Sequence, residues 1–282
     1  MDASNKIVHG MWIGQELSKI ELLTLHSFTR HGHIFYLWAY DDITTLLPDG
    51  VVIKNANEII PQEQVFSYNE TDQFGHGKGS YAGFSDVFRY KLLYKYGGWW
   101  VDMDICCLKP FDIRALYVFR EHHDYPAVGN MMKCPPGSEV MKCSYEQAVQ
   151  EVHENNADWH KPLDILNRNI QEQNLLAFVR PMSNIDDWYE VNKYFRKRQA
   201  ISPDWYALHF VNEMLRINNI DKNGVKWNSE VGRLLREYGL MEENISWKQL
   251  IKEEWEYSWL YFKTKQVGKE IMYKFGVNVR SF

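Results

Sequence analysis

GSYAGFSDVFRYKLLYKYGGWWVDMDICCLKP, residues 79–110, sets a helix, a stop signal, a short apolar strand and two acids in immediate succession. Tyr81, Phe84, Phe88 and Leu92 recur at three- and four-residue steps with Ser80 available as N-cap, so the spacing predicts a helix over 80–96. Gly97 and Gly98 end it, because glycine takes the left-handed conformation without a Cβ penalty. Trp99, Trp100 and Val101 are then expected as a strand buried on both faces of a parallel sheet. In extended backbone residues i and i+2 point the same way, so Asp102 and Asp104 present two carboxylates to one side of the strand's C-terminal end. Open α/β sheets bind ligands at that end.

Two carboxylates flanking Met103 suit a hard divalent cation, Mn²⁺ or Mg²⁺, that shares its remaining shell with substrate phosphates. Such a pair points to a diphosphate leaving group. On the helix, Asp86 and Arg89 stand at i and i+3 and share a face, where they either pair with each other or both reach a ligand. An isolated Asp-x-Asp arises by chance about once in a chain of this length, so the ordered context carries the reading.

That order, SDVFRYKLLYKYGGWWVDMD (residues 85–104), resembles the DXD-containing sugar transferases, the group joining capsular-polysaccharide glycosyltransferases and the catalytic domains of large clostridial glucosylating toxins. The resemblance implies a GT-A type α/β fold with a Rossmann-like, mostly parallel sheet flanked by helices. It also implies metal-dependent transfer of a sugar, with retention, from a UDP-sugar to a glycan or other hydroxyl acceptor. Asp102 and Asp104 would hold the metal and the donor diphosphate, while Asp86 and Arg89 would contact the donor sugar and phosphate; these four are the catalytic candidates. Trp12-Ile13-Gly14 is similar to the end of the family's first strand, whose tryptophan stacks on uracil. Residues 202–223, containing YALHFVNEM, are similar to a later segment in which the histidine or a neighbour approaches the metal and pyrophosphate, and His209 and Asn212 match those places. The donor-binding set is thus Trp12, Ile13, Asp86, Arg89, Met103 and Asn212, and the metal set is Asp102, Asp104 and His209. From the residues alone, Trp12 reads equally as a core residue at a strand end, and His209 as a satisfied core histidine.

The remaining chain fits an α/β order. Apolar runs at 6–12, 34–40 and 51–54 read as strands, with a helix at 18–29 and a short one capped by Asp41 or Asp42, unless one of these acids meets the donor ribose. This β-α-β-α-β order predicts a parallel sheet with crossover helices. Gly75, Gly77 and Gly79 match neither nucleotide-binding glycine pattern and read as a loop or hinge leading into the helix. Further strands are expected at 117–120 and 127–129, helices at 139–154 and 163–178, and a solvated charged stretch at 189–200. The expected division is a catalytic domain over 1–235 and a helical extension over 236–282 packed on it. The aromatic and basic residues of 246–282 leave two roles for this extension, packing on the domain or lying peripherally on a membrane.

Composition sets the outer bounds. With 282 residues and 45% hydrophobic content the chain buries a large core, and its net charge of −5 gives no general attraction to nucleic acid. Cys106, Cys107, Cys134 and Cys143 form no C-x-x-C, so no zinc knuckle or thioredoxin-like motif is indicated. Residues 1–14 lack a basic segment followed by a long apolar run, so a cytosolic chain is the expectation, with Asn69 and Asn244 of the two sequons bare. Two other functions compete. Aspartyl-phosphate phosphatases also place D-x-D after an apolar strand, but Cys106 stands where they carry Thr or Val, and a sugar- or nucleotide-binding module would keep the pocket without turnover.

Overall fold

A computed structural model describes residues 1–156 and 158–256. The chain divides into two compact units, Met1–Val191 with Ile201–Asn223, and Asn192–Ala200 with Gly224–Phe282. Residues 257–282, most of the expected extension, lie outside the described residues.

The first unit opens with α1 (Ala3–Lys6), β1 (Ile7–Trp12), α2 (Lys19–Arg30), β2 (Ile34–Ala39) and β3 (Val51–Asn55). A capping box starts α2, where the Ser18 hydroxyl accepts from the Ile20 N–H and Glu21 accepts from the Ser18 N–H. No helix forms between β2 and β3. Asp41 does not cap one; its carboxylate accepts from the Gly14 N–H at 3.1 Å and ties together the ends of β1 and β2.

A loop then leads to α3 (Ala82–Tyr96), β4 (Gly98–Val101) and β5 (Ile105–Cys107). The helix begins with Tyr81 as its cap residue, and Ser80 contributes by accepting from the Ala82 N–H at 3.3 Å. Its end needs glycine twice over: Gly97 has φ +63°, and a Cβ there would lie 2.4 Å from the Pro136 nitrogen. Beyond it come β6 (Val118–Glu121), β7 (Ala127–Cys134), α4 (Glu139–Glu151), α5 (Lys161–Glu172), β8 (Val179–Arg180), α6 (Trp188–Arg196), β9 (Ala207–His209) and α7 (Asn212–Ile217). The charged stretch expected to be solvated is largely α6, which buries Val191, Tyr194 and Phe195; its apolar residues fall at helical spacing between the charges. The division between the units falls within α6, after Val191, and the second unit carries the rest of that helix with α8 (Glu230–Glu237) and α9 (Trp247–Glu256).

Seven strands among the described residues form one sheet in the order β3-β2-β1-β4-β7-β6-β8. It is mostly parallel and flanked by helices, the α/β architecture expected, but β7 runs antiparallel to both β4 and β6. The strand at 98–101 therefore has one parallel and one antiparallel neighbour. Alternation along β4 sends Trp99 and Trp100 to opposite faces: Trp99 packs on Phe111 in a cluster with Phe28 and Phe35, and Trp100 packs near Phe88 in the cluster under α3. Truncating either buried ring to alanine costs about 3–5 kcal/mol. With both its faces anchored, β4 delivers the chain rigidly to the acids that follow.

Candidate active site

At the C-terminal end of β4 the backbone turns, so residues 102–104 are not extended as the i, i+2 argument assumed. The Asp102 N–H donates to the Asn130 carbonyl of β7 at 2.9 Å, and β5 resumes at Ile105. A second, two-stranded antiparallel pairing then recruits distant residues, because β5 pairs with β9 in a register that sets Ile105 opposite His209. The next residue, Phe210, donates its N–H to the Asp104 carbonyl at 3.0 Å. Val211 turns with φ +56°, a left-handed conformation that costs a β-branched residue about 1–3 kcal/mol. That turn points the Asn212 N–H at Asp104 Oδ2.

These elements enclose a cavity of about 440 Å³ within the first unit, inside the size range of small-molecule sites. Trp12 and Ile13 reach it from the end of β1, Asp86 and Arg89 from α3, Asp102, Met103 and Asp104 from the turn, and His209 and Asn212 from the β9–α7 junction. All nine residues singled out in the sequence line this one cavity. Met103 lines it while packing mainly in the core; a Cβ at Gly10 would stand 3.0 Å from its sulfur, so glycine there makes the room. Trp12 is half-buried, and its ring is fixed by an Nε1–H donated to the Glu16 carbonyl at 3.0 Å and by Lys222 Nζ 5.4 Å from its centroid.

Arg89 bridges the acids. Its guanidinium lies 3.2 Å from Asp86 and 3.0 Å from Asp102, so the i, i+3 pair is formed and extended to the first acid of the motif. Trp100 Nε1–H also donates to Asp102 Oδ1 at 2.8 Å, while Asp104 Oδ2 takes the Asn212 N–H and His209 Nε2 at 3.2 Å. Among the described residues neither Asp102 Oδ2 nor Asp104 Oδ1 has a hydrogen-bond partner, so each carboxylate keeps one oxygen for a hard cation. Asp102 is the more open acid, with 29% of its side chain exposed against 4% for Asp104.

The charges are unequal in cost. Burial raises the Asp86 pKa from its ordinary 3.8 to about 6 despite Arg89, and Asp102 adds to the rise. Burial likewise raises Asp102, whereas for Asp104 the effect of burial is outweighed by His209, and its pKa falls. For His209 burial lowers the pKa, but Asp186 and Asp104 on either side raise it to about 10.

Because the folded Asp86 pKa lies above the unfolded one, the native state binds more protons between the two values, and stability falls as pH rises from about 4 to about 6. Asp86→Asn should remove that fall and stabilise the protein at pH 7 by up to about 3 kcal/mol, the shift converted at 1.36 kcal/mol per unit. Thermal melts of both proteins at pH 4 and pH 7 measure it. Equal pH dependence in parent and variant would contradict the assignment.

Asp186 gave no signal in the sequence. Its Oδ1 accepts the His209 Nδ1–H at 2.6 Å, and Arg120 grips both its oxygens at 2.6 and 2.8 Å. His209 is thus held from two sides, by Asp186 at Nδ1 and by Asp104 at Nε2. The rim of the cavity carries His122, Tyr125, Trp159 and His160, again unremarked in the sequence, with the Tyr125 and His160 rings stacked at 5.4 Å. Only the pairing of strands far apart in the chain reveals these residues.

Known proteins are similar to part of this chain. Residues 39–120 match the family described as "Glycosyltransferase sugar-binding region containing DXD motif". No curated protein matches. Among solved structures, the chain is similar to one titled "PaToxG Glycosyltransferase", with 11% identity, 83% of this chain and 84% of that one covered, and a TM-score of 0.44. It is also similar to the apo-form glycosyltransferase GlyE of Streptococcus pneumoniae TIGR4, with 14% identity, a TM-score of 0.45 and 89% of this chain covered, but it spans only 63% of the GlyE chain. The segment that supplies Asp86, Arg89, Asp102 and Asp104 thus lies within the part of the chain that is similar to the sugar-binding region of glycosyltransferases containing a DXD motif, the family that residues 85–104 resemble.

Proposed function

We propose that this chain is a metal-dependent glycosyltransferase that moves a sugar, with retention, from a UDP-sugar to a glycan or other hydroxyl acceptor. The observation that carries the reading is the convergence of two acids, each with one uncommitted oxygen, an Asp-Arg pair and a half-buried tryptophan on one cavity. Asp102 and Asp104 would hold Mn²⁺ or Mg²⁺, and His209 would be the third ligand through Nε2. Asp186, on Nδ1, then fixes the ring in the manner of a carboxylate–histidine–metal triad. When bound, the cation neutralises charge developing on the departing UDP. Arg89, buried between Asp86 and Asp102, keeps both carboxylates in place and directs positive potential at the phosphate end of the cavity. Asp86 orients the donor sugar. The aromatic rim at Tyr125, Trp159 and His160 offers apolar faces to the acceptor and displaces water around its hydroxyl.

Trp12→Ala should weaken UDP binding by about 1–3 kcal/mol, the range for bases stacked on aromatic rings, while the melting temperature changes little because the ring is only half-buried. Isothermal titration with UDP and a melt of the free variant separate a stacking ring from a core ring. Asp186→Asn should lower metal affinity about 10–100-fold through the loosened imidazole, a loss that Mn²⁺ titration followed by electron paramagnetic resonance reads without turnover. Unchanged affinity would remove His209 and Asp186 from the metal site.

The experiment that tests the function is a panel of nucleotide sugars incubated with the protein, with Mn²⁺ or with chelator, and assayed for released nucleoside diphosphate. Metal-dependent release from a UDP-sugar is expected. Binding without any release would favour a sugar- or nucleotide-binding module instead.

A further inference from the structure

A second cavity lies in the first unit, at the other end of β4 from the acids. Its volume is about 380 Å³, and it is bounded by Gly97 and Gly98, where α3 passes into β4, and by Cys134, which pairs with Gly98 at the end of β7. The two cavities share no lining residue.

The floor of this cavity is aromatic. In the parallel register His9 of β1 stands beside Tyr36 of β2, and Trp38 of β2 beside Lys54 of β3, so alternation turns all four to one face of the sheet. Trp38 and His9 are buried, and Trp38 Nε1–H donates to His9 Nδ1 at 3.1 Å. Burial pushes the His9 pKa down to about 4, so the imidazole is neutral at pH 7 and adds no charge to the floor. Tyr96, the last residue of α3, sets its ring 5.6 Å from Trp38 and 6.5 Å from His9 while 42% of it stays exposed.

Cations surround these rings. Lys54, Arg114 and Lys133 line the cavity against one acid, Glu58, in a chain of net charge −5. Lys133 is tied down, donating to Ser4 Oγ, Asn5 Oδ1 and the Ile113 carbonyl at 3.2, 2.7 and 3.0 Å. Half-buried Lys54 and exposed Arg114 are not: among the described residues neither side chain forms an ion pair or donates a hydrogen bond, and the Lys54 amine stands 4.6 Å from the Tyr36 ring centroid. Aromatic faces beside two uncommitted cations complement a flat ring that carries a negative group. A neutral ring would leave the cations unused, and a bare inorganic anion would leave the rings unused.

We propose that this cavity binds a small anion built on a flat aromatic ring, with the ring against Tyr36 and Tyr96 and its carboxylate or phosphate met by Lys54 and Arg114. The ligand needs no metal, because the lining itself supplies positive charge where the first cavity supplies carboxylates. The proposal is independent of sugar transfer.

Calorimetric titration of the full chain with AMP, with 4-hydroxybenzoate and with inorganic phosphate, all in chelator, tests it. At least one of the two ring compounds should bind at least about tenfold more tightly than phosphate, and the tighter of the two identifies the anionic group as phosphate or carboxylate. Its affinity should fall as salt rises. Lys54→Met with Arg114→Met should weaken this binding at least about tenfold, with a nearly unchanged melting curve because neither side chain is paired. Binding should persist in Trp12→Ala, which alters only the first cavity. Binding of neither ring compound overturns the proposal, as does phosphate binding as tight as theirs or an affinity indifferent to salt. Equal binding by the parent and the double variant overturns it too, and loss of binding in Trp12→Ala does so by assigning the ligand to the first cavity.

Discussion

Asp104→Asn should lower sugar transfer about a thousandfold, equivalent to about 4 kcal/mol of transition-state stabilisation. The side chain has lost no volume, but the oxygen left for the cation is now half of a neutral amide, and the compensating charge beside the leaving diphosphate is gone. The same variant tests how the acid is built into the protein. Asp104 is not an exposed strand-end acid that can change without structural cost; it is buried, takes the Asn212 N–H, and faces His209 at 3.2 Å. An asparagine oxygen in the place of Oδ2 can still accept from Asn212 and His209, but it is a neutral acceptor where His209 faced a charge, and the NH₂ group takes the place of the uncommitted oxygen. A stability loss of about 1–3 kcal/mol should accompany the activity loss. Turnover assays at saturating donor, alongside urea unfolding of the same preparation, read both quantities. Full activity in the variant would remove Asp104 from the metal site, and an unchanged midpoint would remove it from the buried network.

Arg89→Met is expected to be the most destabilising single change at the site. The guanidinium sits 4% exposed between two carboxylates, and methionine fills much of its volume while leaving Asp86 and Asp102 with no positive partner. Breaking a buried pair in this way costs about 3–5 kcal/mol, because the stranded charges stay desolvated. The loss should be largest at neutral pH and shrink towards pH 4. Asp86 already has a folded pKa of about 6 with Arg89 present, and without it the carboxyl protonates at still higher pH, which relieves the repulsion as pH falls. A second variant, Arg89→Met with Asp86→Asn, should recover part of the stability and none of the transfer activity. Chemical denaturation of the three proteins at pH 4 and pH 7 checks the pattern; a variant loss independent of pH would point to packing around Trp100, whose ring lies 5.2 Å from the guanidinium, and not to charge.

The parts of this site legible in the sequence are those specified by neighbours in the chain. The period of Phe84, Phe88 and Leu92, the glycines at 97 and 98 and the apolar run before Asp102 each act within a few residues, and the structure has α3, the left-handed stop and β4 there. The first strand, with its Trp12, was readable for the same reason. The local geometry of the acids was not, because the turn over 102–104 is imposed by the Asn130 carbonyl on one side and by β9 on the other. Asp186 lies in a segment with no periodicity, and Arg120 looks like any strand-end cation; their bidentate pairing exists only because β6 and the 184–186 stretch meet in space. Residues 40–50 misled in the opposite direction. Asp41 and Asp42 carry a good N-cap signal, yet the Gly14 N–H takes the Asp41 carboxylate, and tertiary pairing outweighs local propensity. In α6 the density of charge hid an apolar stripe that a helical count of Val191, Tyr194 and Phe195 would have exposed.

The most direct test of the cavity's assignment is calorimetric titration of the parent protein with UDP, once with Mn²⁺ and once with chelator. Two acids in one cavity that face a diphosphate repel it unless a cation lies between them, so tight binding is expected only with the metal. Equal affinity in metal and in chelator would contradict the reading of Asp102 and Asp104 as the ligands through which this chain holds a nucleotide-sugar donor.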